Sequence, residues 1–274
     1  MARRRITDIP TSRLAVWARR VALFALATAM LGTLIVRAGL LEIEPALATV
    51  AGAFVLAAVA ILLAIGGIAV IWKDGLEGFG SALAGLAIGL ALLAYPGYLA
   101  SKAYYLPAIT DITTDTTDPP KLEALARIRP REGGNPVDYP GEAVAEKQLD
   151  AYPDVEPLQL AVPPAIAYEA IYTVITKRKW RIVEARRPQP RRDGHIEAVA
   201  RTPIMGFRDD VVVRIRADSD GTRVDVRSSS RYGLHDFGTN AERIVAFLAD
   251  VDAAVDALPA EPSPQEAKPP AARR

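Results

Sequence analysis

The sequence predicts an α+β fold in which three transmembrane helices precede an antiparallel β-sheet domain of β-α-β-β-β-β-α order with two covering helices. Two observations carry this prediction. Three long apolar runs fill most of residues 21–100, and short segments of alternating polar and apolar residues follow residue 157. Runs of about 20 apolar residues are long enough to span a bilayer, whereas alternation with a period of two is typical of half-buried strands.

Composition and charge exclude several classes of function. The chain has 33 Lys and Arg against 32 Asp and Glu, and no domain is strongly basic, which argues against a nucleic-acid partner. It has no cysteine, so disulfides, thiolate zinc sites, iron–sulfur clusters and cysteine nucleophiles are excluded. With only two histidines in the chain, no metal and no cofactor is predicted.

The apolar runs cover residues 21–41, 46–72 and 79–100. The second and third contain no charged residue, and the first contains Arg37 near its end, where a long side chain can reach the headgroups. The first run also has the basic start of a signal peptide. Its small residues lie inside the run and not after it, which favours a retained helix.

Charge asymmetry predicts the orientation of the anchor. Six arginines precede or begin the first run and Lys73 lies between the second and third, whereas Arg37 and Lys102 flank the opposite side. The positive-inside rule then places the N-terminus in the cytoplasm and the C-terminal half outside. No acidic residue, lysine or histidine lies in the middle of a span, which favours an anchor over a transporter. Gly85 and Gly89 are spaced for close helix contact, within the chain or in a dimer.

Five regions are predicted along the chain. They are a basic cytoplasmic N-terminus (1–20), a three-helix membrane anchor (21–100), an extended linker (101–151), an exported α+β domain (152–258) and a disordered tail (259–274). Turn-forming residues dominate residues 101–151, which form either an extended linker or a strap along the folded domain, and residues 142–150 could add a short helix. Asp111, Asp115 and Asp118 of this region lack the spacing of a calcium loop, so a solvated linker is the preferred interpretation.

Within the domain, strands are predicted over 157–162, 180–185, 195–202, 210–217 and 222–229, and helices over 164–178 and from Thr239 onward. Thr239 and Glu242 have the spacing of a capping box. One sheet face would be covered by the two helices. The opposite face, either solvated or a binding surface, carries Arg201, Arg214, Arg216, Arg223 and Arg227.

Three segments resemble the core signature of the bacterial "domain of unknown function 1499" family. They are FRDDVVVR at 207–214, VDVRSSSR at 224–231 and GLHDFGTNAERI at 233–244. Segments 114–120 and 152–158, and the three-helix anchor, are also similar to membrane-bound members. The resemblance implies a membrane-anchored bacterial protein, and it implies no mechanism. With the orientation predicted from charge, we expect a multi-pass protein of the bacterial inner membrane with a periplasmic domain.

The densest polar cluster lies between Arg227 and Asn240, where a strand end, a loop and a helix N-terminus should meet. Backbone N–H groups flanked by arginines can hold a phosphate, a lipid headgroup or a carboxylate. The candidate ligand-binding residues are Arg227, Ser228, Ser229, Ser230, Arg231, His235, Asp236 and Asn240. The alternative is structural, with Asp236 and Thr239 capping the last helix.

Catalytic interpretations are weaker. Ser229 or Ser230 with His235 and Asp236 would form a hydrolase triad, but adjacent side chains point apart and no Gly-x-Ser-x-Gly elbow exists.

Two further groups of residues have structural interpretations. Asp209 and Asp210 would face opposite ways on a strand, so turn capping or pairing with Arg227 or Arg231 is preferred to a catalytic carboxylate pair. His195 is interpreted as a surface histidine. No catalytic residue is therefore assigned.

The first hypothesis is a non-enzymatic inner-membrane protein whose exported domain binds a protein or an anionic envelope component. Two alternatives stay open. One is an enzyme that acts on an envelope lipid or glycan through residues 227–240, and the other is an accessory subunit of a membrane complex. The predicted partners are the lipid bilayer and an envelope protein or anionic small molecule, and the sequence does not predict the oligomeric state.

Overall fold

A computed structural model describes residues 9–40, 43–129 and 134–258. The predicted disordered tail at 259–274 and residues 1–8 of the predicted basic N-terminus lie outside the described residues. Three helices form the anchor: α1 (Arg13–Ala38), α2 (Ile43–Asp74) and α3 (Phe79–Tyr105). Each is long and apolar enough to cross a membrane, which confirms the three long apolar helices that the sequence predicts.

Small residues allow the three helices to pack closely. The buried positions of α1 are all alanine or glycine: Ala15, Ala18, Ala22, Ala25, Ala29 and Gly32. A Cβ atom added at Gly85 would lie 2.7 Å from the carbonyl carbon of Ala18, and one at Gly89 would lie 2.7 Å from Ile61 Cγ1. The two glycines of α3 therefore contact α1 and α2 of the same chain, which is one of the two arrangements expected from their spacing.

The start of α1 lies beside the turn between α2 and α3, at one end of the three-helix anchor. Ser12 donates its backbone N–H to Glu77 over 2.8 Å, so the start of α1 contacts the turn between α2 and α3. Ser12 also caps α1 by accepting from the backbone N–H of Ala15 over 3.5 Å. Since α1 and α3 run in the same direction, both lead to the end of the anchor where the rest of the chain folds.

The rest of the described chain forms a six-stranded antiparallel sheet, as the α+β prediction requires. Its strands are β1 (Asp111–Thr113), β2 (Leu158–Leu160), β3 (Arg181–Arg186), β4 (Gly194–Arg201), β5 (Arg208–Asp218) and β6 (Gly221–Ser230). Its helices are α4 (Ala124–Ile128), α5 (Glu142–Ala151), α6 (Pro164–Lys177) and α7 (Thr239–Asp256). The strand order is β1-β6-β5-β4-β3. β2 pairs with the first half of β6, whereas β1 pairs with its second half.

The main core lies between one sheet face and helices α6 and α7. Alternate residues of β4, β5 and β6 point into it, including Ile196, Val213 and Val226. Phe247 of α7 is fully buried, with its ring centroid 5.1 Å from that of Trp180. The period-two alternation of the sequence therefore predicted the correct inward faces.

The opposite face is covered by the strap, which comprises residues 114–129 and 134–137. Leu122 and Leu125 of the strap form a second small core with Val199 and Val212. The predicted linker thus folds as part of the domain, because it also contributes strand β1 and helices α4 and α5. Segments of three and five residues are too short to show a hydrophobic period in the sequence.

Four of the five arginines of this face are paired with carboxylates, and Arg201 donates to the backbone carbonyl of Arg37, so the face does not form a free cationic surface. Asp225 is fully buried and accepts hydrogen bonds from Arg214, Arg216 and Arg223 over 2.9–3.3 Å. Asp115 of the strap lies within 3.4 Å of the same three guanidiniums. Asp115, expected in a solvated linker, instead binds the strap to the sheet.

The capping box predicted at Thr239 is not formed. The residue at the N-cap of α7 is Gly238, at φ +77°. Because glycine has no side chain, it cannot accept hydrogen bonds from the N–H groups at the start of α7, and another residue does so. That acceptor is Asp236, which receives hydrogen bonds from the N–H groups of Gly238 over 2.9 Å and Asn240 over 3.0 Å.

Candidate functional site

A cavity of about 890 Å³ lies between the membrane helices and the α+β domain. On the membrane side it is lined by all three helices, with Leu34 of α1, Phe54 of α2 and Leu99 of α3 among the contributors. On the domain side it is lined by the β4–β5 loop (202–207) and the β6–α7 loop (231–238). The two loops cover a space whose other walls are bilayer-spanning.

The β4–β5 loop is held against the end of α1. Arg37 donates from Nη1 to the carbonyl oxygens of Pro203 over 2.6 Å and Ile204 over 2.9 Å. Arg201 in turn donates to the carbonyl oxygen of Arg37 over 3.1 Å. Gly206 has φ +72° and packs so closely on Arg37 that an added Cβ would lie 3.0 Å from Cγ. Arg37 therefore fixes the roof of the cavity and does not serve only as an interfacial charge.

The β6–α7 loop is fixed to the end of α3 by His235. Its Nδ1 accepts from the backbone N–H of Phe237 over 2.8 Å, so Nε2 carries the proton and donates to the carbonyl oxygen of Leu106 over 3.2 Å. The imidazole stacks on the Phe237 ring at a centroid distance of 4.6 Å. Phe237 itself has φ +54°, an uncommon value for a residue with a side chain.

The domain end of the cavity is polar, unlike its membrane end. Asp209, Ser230, Asp236 and Thr239 line it there. Arg243 of α7 donates to Asp209 Oδ2 over 2.5 Å, which balances that carboxylate. Burial raises the pKa of Asp236 against the hydrogen bonds from Asn240 and Gly238. The cavity is thus an apolar space with a small polar end, suited to an amphiphilic molecule.

The eight residues expected to form one ligand site are divided between the two sheet faces. Strand β6 continues through this segment, so successive side chains alternate. Ser228 and Ser230 face α7, where Asn240 accepts from Ser228 and donates to Ser230. His235 and Asp236 lie on that side as well. Arg227, Ser229 and Arg231 face the strap instead. The structure therefore brings together five of the eight residues on the helix side and three on the strap side.

The strap-side arginines are buried in ion pairs. Arg231 donates from Nε to Asp210 Oδ1 over 2.8 Å, and Arg129 of the strap lies 3.4 Å from the other oxygen of Asp210. Arg227 pairs with Asp111 of β1. Burial raises the pKa of Asp210 in spite of its guanidinium neighbours, and burial lowers the pKa of Arg129. These buried arginines and aspartates pair with each other, so Arg129, Arg227 and Arg231 do not form an open cationic site.

The triad geometry is not formed. The Nδ1 atom of His235 is occupied by a backbone N–H, and Asp236 caps α7. In the parts of the chain that the structure describes, no group of three His, Asp or Glu side chains could hold a metal ion.

A family model described as "Protein of unknown function (DUF1499)" matches residues 111–251. The match begins at the first residue of β1 and ends within α7, so it spans the whole sheet together with the strap. The chain belongs to the DUF1499 family. Comparisons with curated proteins and with solved structures find no match. The membrane helices that form half of the cavity lie outside the segment that the DUF1499 model matches.

Sequence reasoning missed several residues of this DUF1499 domain. Arg243 and Arg129 lie far in the chain from the acidic groups they bind. His195, expected at the surface, is buried and lies 2.8 Å from the buried carboxylate of Glu197. The alternation of β4 contained a usable indication, because it places His195 and Glu197 on the same sheet face.

Proposed function

We propose that this protein binds a membrane amphiphile in the cavity between its transmembrane helices and its domain, at the periplasmic face of a bacterial inner membrane. The composition of the cavity wall supports this function most directly. Long apolar helices form one side of the wall, and polar groups near Asp209 and Thr239 form the other. An acyl chain can enter from the bilayer without crossing water, while its polar end stays near the domain. A volume of about 890 Å³ falls within the range of small-molecule sites.

The same geometry argues against an anionic ligand in the segment 227–240. A buried anion needs a positive partner, and Arg227 and Arg231 already have carboxylate partners. At the polar end of the cavity, Asp209 is matched by Arg243, and Asp236 is buried beside it. A neutral or zwitterionic polar group fits these surroundings better than an anionic one. The expected ligand is therefore still an envelope component, but its polar group is neutral or zwitterionic and not anionic.

The orientation rests on charge and on which helix ends meet. Residues Pro10 and Ser12 contact Glu77, so the start of α1, which carries Arg13, Arg19 and Arg20, and the loop after Lys73 lie on one side of the anchor. The positive-inside rule assigns that side to the cytoplasm. Leu234, 87% exposed, and Ile204, 45% exposed, project from the loops on the opposite side, where they are suited to contact the outer leaflet.

Two leucines of α1 provide a matched test of ligand binding. Leu34 and Leu31 have exposed fractions of 60% and 59%, but only Leu34 lines the cavity among the residues described. The wild type, Leu34→Trp and Leu31→Trp would be purified in the same detergent and examined by native mass spectrometry. Leu34→Trp should lose the co-purifying lipid, because indole fills the cavity, and Leu31→Trp should keep it. Equal retention or equal loss in both variants would refute the proposal, because ordinary annular lipid gives that result.

The absence of native cysteine allows a direct test of orientation. Asp220 lies in the exposed β5–β6 turn and Asp74 at the exposed end of α2. A membrane-impermeant maleimide should label Asp220→Cys in spheroplasts, and should label Asp74→Cys only after lysis. The reverse pattern would place the domain in the cytoplasm.

A further inference from the structure

A second pocket, of about 500 Å³, lies far from the membrane cavity. It is lined by residues 118–123 of the strap, by the β3–β4 hairpin with its flanking residues Arg186 and His195, and by Arg214 in the middle of β5. The β4–β5 loop, which contacts the anchor, follows Arg201 at the other end of β4. At a rise of about 3.3 Å per residue, the six steps from His195 to Arg201 separate the pocket from that loop by about 20 Å. The pocket therefore faces the aqueous side of the domain.

His195 lies in a row of basic residues across three strands. Antiparallel pairing places it opposite Arg186 of β3 and opposite Arg214 of β5. All three residues line the pocket. The His195 side chain is only 9% exposed, so the ring is held in place and is not a mobile surface group.

Glu197 orients the His195 ring. Its Oε1 lies 2.8 Å from His195 Nε2, and its two oxygens also accept from the backbone N–H groups of Glu123, Ala124 and Leu125 over 2.7–3.1 Å. Burial opposes ionisation of Glu197, but the hydrogen bonds from His195 and the three N–H groups outweigh it and leave its pKa below the usual range. An ionised Glu197 accepts from Nε2–H. No protein group among the described residues hydrogen-bonds Nδ1, which is left for a molecule in the pocket.

The pocket has an excess of positive charge. Five basic and three acidic side chains line it. Arg186 pairs with Glu123 and Arg214 with Asp118. Lys121, Arg191 and Arg192 form no ion pair with the described part of the chain, and only Asp193 remains to balance them.

The β3–β4 hairpin presents two of these cations in a defined geometry. The backbones of Gln189 and Arg192 hydrogen-bond each other in both directions, over 2.8 and 3.0 Å. Pro188 and Pro190 further restrict the turn. The backbone of Arg191 and Arg192 is thus held near His195 at a lower entropic cost than on a flexible loop, while both side chains remain exposed.

We propose that this pocket binds a phosphate group carried by a water-soluble molecule. Guanidinium groups bind phosphate oxygens with paired, charge-assisted hydrogen bonds. A phosphate group can also donate its own proton to a neutral Nδ1 of His195, or accept from that nitrogen when the ring is protonated. A carboxylate has one oxygen fewer than a phosphate group and, when ionised, no proton to donate to Nδ1, so phosphate fits Arg191, Arg192 and His195 better. The site is independent of the amphiphile cavity.

The test uses the full chain in nanodiscs of zwitterionic lipid, titrated with inorganic phosphate in a calorimeter. The variants are Arg192→Gln, at the exposed hairpin tip, and His195→Gln. Arg181→Gln is the matched control, because Arg181 is an exposed arginine of β3 that does not line the pocket. We expect Arg192→Gln and His195→Gln each to weaken phosphate binding about tenfold, and Arg181→Gln to leave it unchanged.

Three outcomes would overturn the proposal. The first is no binding to the wild type at about 10 mM phosphate. The second is an equal loss of affinity in Arg192→Gln and Arg181→Gln, which would indicate general attraction to a charged surface. The third concerns the source of the phosphate. If nanodiscs of anionic lipid abolish binding of inorganic phosphate, the pocket is occupied by headgroups and the ligand is not water-soluble.

Discussion

Arg227 and Asp111 form a bidentate ion pair that joins β6 to β1, with Nε donating to Oδ1 over 2.9 Å and Nη2 to Oδ2 over 2.7 Å. Both side chains are 3% exposed. Arg227 also donates to the carbonyl oxygen of Val137 over 2.7 Å, so one guanidinium connects the sheet, its edge strand and the strap. A pair with this degree of burial is costly to break from one side, because the remaining charge stays buried without a partner.

Asp111→Asn should therefore lower the free energy of unfolding by about 3–5 kcal/mol. Asp118→Asn removes an aspartate whose side chain is 63% exposed and which also binds an arginine, so its effect should be about 0–1 kcal/mol. Denaturant unfolding in detergent can be followed by Trp180 fluorescence after Trp17 and Trp72 are replaced by Phe. Equal losses of unfolding free energy in the two variants would show that the buried pair between Arg227 and Asp111 stabilises the protein no more than an exposed pair.

Two glycines of α3 should affect the stability of the anchor differently when each is replaced by alanine. An added Cβ at Gly85 would lie 2.7 Å from the backbone of Ala18, whereas at Gly97 nothing lies within 4 Å. Gly85→Ala should separate α3 from α1 and destabilise the anchor by about 1–3 kcal/mol. Gly97→Ala should be neutral or slightly stabilising. The measurement is the SDS concentration that halves the helical circular dichroism, and a lower value for Gly97→Ala than for Gly85→Ala would contradict the packing.

Arg37 should control the β4–β5 loop. Removing its guanidinium leaves the carbonyl oxygens of Pro203 and Ile204 without their donor, so Arg37→Ala should increase amide hydrogen exchange across residues 202–207. Arg20→Ala is the control, because Arg20 lies over the Trp17 ring near the other end of α1. If exchange in 202–207 is the same in both variants, Arg37 does not hold the loop.

Local patterns predicted the sheet core but not the cavity. The alternation of β4, β5 and β6 is visible because each strand exceeds seven residues, and it placed Val211, Val213 and Val226 correctly. The same alternation places Arg227 and Ser228 on opposite sheet faces, so the two residues could not belong to the single cluster predicted from the sequence. The cavity depends on contacts such as that between Arg37 and Pro203, which are 166 positions apart. No local period in a single sequence records such a contact.

The sequence leaves residues 101–151 open between an extended linker and a strap along the domain, for a related reason. The aspartates of the strap follow no hydrophobic period, and their partners are arginines of strands about 100 positions later in the chain, as for Asp115 and Arg214. In the sequence these two groups resemble a solvated linker and a solvated sheet face. They neutralise each other only after the chain folds back.

Glu197 gives a prediction for the pH dependence of stability. Its pKa is lowered in the folded protein, so its contribution to stability is present above the ordinary glutamate pKa of about 4.3 and is lost as the pH falls through the folded value. Glu197→Gln should lower the free energy of unfolding by more than about 1.5 kcal/mol at pH 7, because charge-assisted hydrogen bonds are lost. The difference from the wild type should narrow as the pH falls below about 4.3.

The raised pKa values of Asp210 and Asp236 act with the opposite sign, favouring the folded protein at lower pH. Both residues are present in the wild type and in Glu197→Gln, so their contributions cancel in the difference between the two proteins. Glu156→Gln, at an exposed carboxylate, is the control and should show a small difference at every pH. A difference for Glu197→Gln that is constant between pH 7 and pH 3 would mean that the hydrogen bonds from His195 and the strap do not favour the ionised form.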